Sequence, residues 1–165
     1  MSQTIDDFRN FLRPDQEIKQ FNLKEAVKKT LILVGDSFKS QNIKIDIVAQ
    51  EDLIVTGYQN DYCQVLLNIL NNARDVLTER NIISPRIEIN LFREGHRHVA
   101  TISDNAGGIP DAIIDRIFEP YFTTKDADKG TGIGLYMSKS IIENRMNGKI
   151  SVRNTDWGAE FRIEV

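Results

Sequence analysis

A predicted helix carries three asparagines among apolar residues, in the stretch QVLLNILNNARDVL from Gln64 to Leu77. At 100° per residue, Asn68 and Asn72 fall on one line, and Asn71 lies off it as a predicted surface residue. Asparagine is a poor choice inside a helix because its amide competes for backbone groups. The polar side of this helix is therefore either solvated or turned toward a ligand. Two stacked amides suit Mg²⁺ that is held mainly by waters and nucleotide phosphates.

The two sides of this helix differ in chemistry along its whole length. The predicted core face consists of Leu66, Ile69, Leu70, Ala73 and Leu77. The predicted polar side consists of Asp61, Asn68, Asn72 and Asp75. The helix therefore separates a core from a candidate site.

Two glycine-rich stretches flank a long segment that has no sustained period. DNAGGI, from Asp104, ends a predicted strand, and GTGIG, from Gly130 to Gly134, begins a predicted helix. A helix N-terminus offers free N–H groups and the positive end of the dipole, so these glycines either let a phosphate approach or only form turns. The sequence contains no Walker-type G-x-x-x-x-G-K-[ST], so a P-loop is excluded.

Alternating and helical patterns place these stretches within a two-layer α/β sandwich of about three long helices and six strands. The predicted helices are 23–41, 60–79 and 130–146, with a short piece at 111–118. The predicted strands are a short one at 17–23, two at 43–49 and 53–57 in hairpin-like succession, a hairpin of 86–94 and 98–103, and a terminal hairpin of 149–154 and 159–165. The segment 109–130 is predicted to be a long functional loop.

The composition of the chain excludes several classes of function. With 165 residues and a formal charge of -3, the chain is expected to form one globular unit without an electrostatic grip on nucleic acid. Cys63 is alone, and with His96 and His98 it cannot complete a zinc site. No apolar run approaches the roughly 20 residues of a membrane span, and the first residues lack a secretory signal. We therefore expect a segment outside the membrane, in a reducing compartment.

Four motifs together resemble a known domain. Taken in order, NILNNARD, DNAGGI, IFEPYFTTK and GTGIGL resemble the N, G1, F and G2 boxes of the catalytic, ATP-binding domain of sensor histidine kinases. The resemblance covers about Gln64 to Leu135. It implies the Bergerat fold shared with gyrase B, Hsp90 and MutL, an α/β sandwich with a mixed, mostly antiparallel sheet, about three helices and an ATP lid. It also implies ATP and Mg²⁺ as ligands.

The resemblance assigns roles to individual residues. Asn72 is similar to the principal Mg²⁺ ligand, with Asn68 as a second or water-mediated ligand, and Asp104 to the carboxylate that accepts a hydrogen bond from the adenine amino group. Gly108 is similar to the glycine that lets the base pack closely. The implied ATP-binding set is Asn68, Asn72, Asp75, Asp104, Gly108, Ile109, Phe122, Thr124, Lys125, Gly130, Thr131, Gly132, Ile133, Gly134 and Leu135. No residue receives an acid/base role.

Some positions of the boxes carry alternatives or departures. The F box residues Phe118, Pro120 and Phe122 are expected to anchor the lid, and Lys125 either reaches a phosphate or is solvated. Ala106 stands at the first glycine position of the G1 pattern, which is tolerable if the backbone there does not need a positive φ. Ala159 stands where a hydroxyl is common, which predicts that one hydrogen bond, either on the adenine side or through a water, is missing.

Position 68 separates the possible functions. The resembling ATPases carry a water-activating glutamate there, and an amide cannot accept that proton at neutral pH. Asn68 therefore favours phosphoryl transfer to a histidine on another domain, and the alternatives are an ATPase of the same fold or a non-catalytic nucleotide-sensing module.

The resemblance also predicts the neighbours of the domain. Residues 1–15 are expected to be the end of a dimerisation and phosphoacceptor helix, and 16–165 the catalytic domain. The expected partners are the helical phosphoacceptor domain of the same kinase and a response regulator, in the cytoplasm or on the cytoplasmic side of a membrane-bound sensor.

Overall fold

The computed structural model describes residues 17–124 and 132–165. The predicted helix remnant at 1–15 lies outside these residues, as do the candidate site residues Lys125, Gly130 and Thr131.

Seven strands and four helices occupy the described part of the chain. The strands are β1 Lys19–Asn22, β2 Lys44–Ala49, β3 Ile54–Gly57, β4 Arg86–Glu94, β5 Arg97–Asp104, β6 Lys149–Asn154 and β7 Ala159–Glu164. The helices are α1 Leu23–Ser40, α2 Gln59–Glu79, α3 Asp111–Ile114 and α4 Gly134–Ser140, which continues as a π-helical turn Ile141–Arg145.

Five strands form one mixed sheet in the order β2-β4-β5-β7-β6, in which only β2 and β4 are parallel. The mostly antiparallel sheet and both predicted hairpins are therefore confirmed. The prediction that β2 and β3 follow each other as a hairpin is wrong, because β3 pairs with β1 in a separate two-stranded sheet. Both strands lie close to their predicted positions, but their pairing partners are distant in sequence.

The core lies between the five-stranded sheet and the helices. On β4, Ile87, Ile89 and Leu91 are fully buried while Glu88 and Asn90 on the other face are half-buried, as alternation predicts. The predicted core face of α2 is buried at every position. Each such Leu or Ile contributes about 1.5–3 kcal/mol to the free energy of folding. This packing fixes α2, and thereby the asparagines on its other side.

Two helix ends show how the sequence sets the boundaries. The strand β1 turns into α1 at Asn22, whose Oδ1 accepts hydrogen bonds from the N–H groups of Lys24 (2.9 Å) and Glu25 (3.3 Å). The last helix ends at the predicted Asn147-Gly148 cap, where Asn147 has a positive φ of 53° and Gly148 N donates to Ile142 O at 2.8 Å.

An ion pair joins α2 to the π-helical turn. Asp61, predicted on the polar side of α2, is buried, and its Oδ2 lies 2.6 Å from Nε of Arg145. The guanidinium of Arg145 also lies over the ring of Tyr58, 4.2 Å from its centroid. The polar side of α2 is therefore split into a structural ion pair at its start and a candidate site further along.

Candidate functional site

A cavity of about 580 Å³ opens between α2, the loop after β5, the F box segment and the start of α4. Its volume falls within the range usual for small-molecule sites. The candidate residues that line it are Asn68, Asn72, Asp75, Asp104, Gly108, Ile109, Phe122, Thr124, Gly132, Gly134 and Leu135. The structure thus brings described residues of all four predicted motifs to one cavity.

Two residues are not placed as the sequence predicted relative to the cavity. Ile133 is half-buried just before α4 and is not among the described residues that line the cavity. The prediction that Asn71 is a surface residue is wrong, because Asn71 is half-buried and lines the cavity. The cavity is wider than one line of side chains on α2, so it also takes in a residue that is rotated about 60° from Asn68.

Asp104, the last residue of β5, places a buried carboxylate at the cavity. Its Oδ1 accepts hydrogen bonds from the N–H groups of Ala106 (3.0 Å) and Ala159 (3.3 Å). Burial raises the pKa of Asp104, while the two backbone hydrogen bonds and the positive charge of Arg80 act in the opposite direction. Both backbone bonds go to Oδ1, which orients the carboxylate with its second oxygen able to accept from a ligand.

The two departures from the expected motifs have local explanations. Ala106 is buried and is not among the described non-glycine residues with a positive φ. The backbone at this position therefore does not need a glycine, and alanine is tolerated. Ala159 lacks a hydroxyl, but its backbone N–H supports Asp104. The glycine before it is required, because a Cβ on Gly158 would collide with the carbonyl oxygen of Asp104 and come within 2.5 Å of Oδ1.

Asn68 links α2 to the first turn of α4. Its Nδ2 donates to the carbonyl oxygen of Gly134 and to Oγ of Ser138, each at 3.0 Å. Its Oδ1 accepts a hydrogen bond of 3.0 Å from Nε2 of Gln64. The amide therefore uses both its donor and its acceptor ends, which a carboxylate at this position could not do.

Asn72 and Asp75 lie along the same side of α2 and line the cavity. Asp75 forms an ion pair with Arg74, whose Nη2 lies 3.1 Å from Oδ1, and Nη1 of Arg74 donates to Oγ of Ser37 at 3.0 Å. The charge of Asp75 is thus partly balanced within the protein. Among the residues that the structure describes, no group of three or more His, Cys, Asp or Glu could hold a metal ion.

Aromatic contacts hold the F box segment against the fold. Phe118 packs edge-on against Phe161 of β7, with 6.2 Å between centroids, and the guanidinium of Arg116 lies 4.6 Å from the ring centroid of Phe122. Gly132, with a φ of +71°, passes so close to Tyr121 and Phe122 that a Cβ would collide with the Tyr121 backbone. Glycine is therefore required where the chain returns to α4.

Sequence reasoning missed two residues that hold the loop after β5. Arg80 follows α2 directly, and its Nη1 donates to the carbonyl oxygens of Ala106 (2.6 Å) and Gly108 (2.9 Å). Asn154 ends β6 and forms two hydrogen bonds with the backbone of Ile109. The only sequence signal for either is a polar side chain at the end of an element, which also fits ordinary capping.

Comparison with known proteins agrees with this geometry. Residues 57–165 match the family described as histidine kinase-, DNA gyrase B-, and HSP90-like ATPase, so the chain belongs to this family, which implies ATP binding. The resemblance identified from the four motifs and the fold class it implied are both confirmed.

Its relatives narrow the class to catalytic domains of histidine kinases. The chain is 33% identical over 153 residues to the two-component sensor PprA of Pseudomonas aeruginosa, covering 90% of this chain and 16% of the relative. It is 32% identical over 155 residues to sporulation kinase A of Bacillus subtilis, covering 92% and 24%. The chain therefore spans a quarter or less of the length of these two relatives.

A solved structure shows the same architecture over nearly its whole length. The nucleotide-free catalytic domain of the histidine kinase ThkA superposes with a TM-score of 0.79 at 29% identity, covering 91% of this chain and 97% of that domain.

Among the described residues, no helix is long and apolar enough to cross a membrane.

Proposed function

We propose that residues 16–165 present Mg·ATP for phosphoryl transfer to a histidine on a separate helical domain, from which a response-regulator aspartate then receives the phosphoryl group. The observation that carries the proposal is the buried Asp104 carboxylate, fixed through Oδ1 by two backbone N–H groups at one end of the cavity. A carboxylate acceptor favours the amino group of adenine and disfavours the carbonyl of guanine, which would leave the buried charge unpaired. Gly108 and Ile109 form the adjoining wall.

The asparagines and glycines that line the cavity suit nucleotide phosphates and a metal ion. We assign Asn72 as the main Mg²⁺ ligand, with Asn68 as a second or water-mediated ligand. A neutral amide oxygen suits Mg²⁺ when nucleotide phosphates supply the balancing charge. Bound Mg²⁺ would neutralise phosphate charge, and the residues of this chain would hold and orient the nucleotide. Gly132 and Gly134 line the cavity where the phosphates are expected, and Lys125, Gly130 and Thr131 complete the proposed set.

Asn68 favours transfer over hydrolysis. Its amide has no basic site for a proton from water, and its donor end is committed to Gly134 O and Ser138 Oγ. The chain thus supplies binding and orientation, while the nucleophile and its proton acceptor come from the helical domain. An ATPase or a passive nucleotide sensor of this fold remains the alternative that the experiment below tests.

The proposed partners follow from the same relatives. A solved complex contains the histidine kinase ThkA and the response regulator protein TrrA, and this chain shares the fold of the matched chain at a TM-score of 0.76 and 24% identity. We propose a response regulator as a partner here as well, residues 1–15 as the end of the phosphoacceptor helical domain, and a cytoplasmic location. No role in nucleic-acid binding is proposed.

The direct test supplies the helical phosphoacceptor domain of this kinase in trans with labelled Mg·ATP. We expect acid-labile phosphate on its histidine, and no labelling when Asn72→Ala replaces the wild-type chain. Steady ATP hydrolysis by the chain alone, abolished by Asn68→Ala, would instead identify an ATPase. Tight ATP binding without transfer or hydrolysis would identify a sensor.

A further inference from the structure

The loop that follows Asp104 is held from one side by Arg80. Arg80 follows the last residue of α2, and its backbone N–H donates to the carbonyl oxygen of Val76 at 3.0 Å. Its Nη1 donates to the carbonyl oxygens of Ala106 at 2.6 Å and Gly108 at 2.9 Å. One charged group thus fixes two carbonyls of the loop to the rigid helix that carries the asparagines.

Asn154 holds the same loop from the opposite side. Its Oδ1 accepts a hydrogen bond of 2.8 Å from the N–H of Ile109, and its Nδ2 donates to the carbonyl oxygen of Ile109 at 2.7 Å. The side chain lies so near Gly108 that a Cβ there would come within 2.8 Å of Oδ1. A side-chain amide therefore pairs with both backbone polar groups of Ile109.

The loop needs such support because its own sequence does not fix its shape. Gly107 and Gly108 have φ angles of +95° and +91°, and consecutive glycines have many alternative conformations in solution. The N–H of Gly107 donates to Trp157 O at 3.0 Å. The described hydrogen bonds to the carbonyl oxygens of Ala106 and Gly108 come from Arg80. Ordering this loop costs conformational entropy that the two side chains offset.

The position of the loop is coupled directly to the adenine acceptor. Ala106 donates its N–H to Asp104 Oδ1 while its carbonyl accepts from Arg80, so a single residue joins the guanidinium to the carboxylate. A shift of the loop would move one of the two donors that orient Asp104. It would also move Gly108 and Ile109, which form the wall of the cavity.

We infer that Arg80 and Asn154 are positioning residues for adenine recognition, which clamp the 106–109 loop from two sides so that Asp104 and Gly108 meet the base. This inference rests on the proposed nucleotide-binding function and names two residues through which the site is preorganised. Arg80 lines the cavity and Asn154 is not among the described lining residues, but the effect on the loop requires neither to touch the nucleotide. Their effect is expected on the discrimination between adenine and hypoxanthine, because only adenine offers an amino group to Asp104.

The test measures the affinity of ADP and of inosine diphosphate for the wild-type chain, Arg80→Met and Asn154→Ala by titration calorimetry, with Mg²⁺ present. We expect each variant to bind ADP roughly 5- to 30-fold more weakly, with a smaller loss for inosine diphosphate, so that the ratio of the two affinities falls. Arg80→Lys keeps one charged donor and should recover part of the ratio. Arg93→Met is the matched control, because Arg93 forms an exposed ion pair with Glu51 away from the cavity.

The outcomes separate this inference from the function on which it rests. A wild-type chain that does not prefer ADP overturns the proposed adenine site and the inference together. A wild-type preference that survives unchanged in Arg80→Met and Asn154→Ala overturns the inference alone. A merely structural role would lower the melting temperature and leave the affinity ratio at the wild-type value, which also contradicts it.

Discussion

The side-chain amide of Asn68 donates a hydrogen bond of 3.0 Å to the carbonyl oxygen of Gly134, across the boundary between α2 and α4. The same nitrogen lies 3.0 Å from Oγ of Ser138. Since Gly134 begins the helix that follows the glycine-rich segment, this amide connects the proposed metal side of the cavity to the end of that segment. The residue type at position 68 therefore has a structural role beside its proposed chemical one.

Replacing this donor by an acceptor should weaken the connection. Asn68→Asp removes both donated bonds and puts a carboxylate oxygen against the carbonyl of Gly134, which we expect to cost about 1–3 kcal/mol of the free energy of unfolding. Thermal unfolding measures this loss as roughly 2–4 °C for each kcal/mol. Asn71→Asp is the control, on the same helix and also half-buried. Equal melting temperatures for the two variants would contradict this role.

Neutralising the buried carboxylate should stabilise the fold. Burial raises the pKa of Asp104 in the folded chain. A raised folded pKa means that the contribution of this group to stability is present below its unfolded pKa and is lost as pH rises through the folded value. Asp104→Asn should therefore melt at a higher temperature than the wild type at neutral pH, with the difference shrinking under acid conditions. Calorimetric melts over pH test this, and a variant less stable at neutral pH would refute it.

Adding one methyl group behind the carboxylate should disturb the site. In Gly158→Ala the new Cβ would collide with the Asp104 backbone and approach Oδ1, so we expect a loss of stability of about 1–3 kcal/mol and at least a several-fold loss of ADP affinity. The matched control is Gly35→Ala within α1, where a Cβ meets nothing within 4 Å. This control should gain about 0.5–1 kcal/mol, because alanine loses less backbone entropy in a helix. If both variants melted and bound ADP alike, the close approach at Gly158 would be unimportant.

Breaking the ion pair at the start of α2 should destabilise the chain without acting on the cavity. Arg145→Met leaves the buried Asp61 carboxylate without its partner at 2.6 Å, and we expect a cost of about 1–3 kcal/mol, reduced by the partial exposure of Arg145. Chemical denaturation measures it. Lys28→Met breaks the exposed pair with Glu25 instead and should change stability by less than about 1 kcal/mol. A cost for Arg145→Met as small as that for Lys28→Met would show that the buried pair adds nothing.

Much of the fold could be predicted because periodicity reports burial directly. The core face of α2, the hairpin of β4 and β5 and the Asn147-Gly148 cap all follow from local patterns. The pairing of β2 with β4, and of β3 with β1, could not be predicted in the same way, because alternation gives the two faces of a strand but not its neighbour.

The candidate site shows the same division. Asp104 and Gly108 were identified from their motif, and the structure places both at the cavity. Arg80 and Asn154 were not, because each acts through backbone groups far along the chain, and a single polar residue at the end of an element has many ordinary roles. The metal-binding assignment of Asn68 and Asn72 stays a prediction.

The carboxylate of Asp104 is proposed to make this cavity an adenine-specific nucleotide site. Titrating the wild-type chain and Asp104→Asn with ADP and with inosine diphosphate in the presence of Mg²⁺ measures this specificity. We expect the wild-type chain to prefer ADP by about 10-fold or more, and the variant, which turns a donor toward the adenine amino group, to lose that preference. The absence of ADP binding by the wild type, or an equal preference in the variant, would contradict the claim.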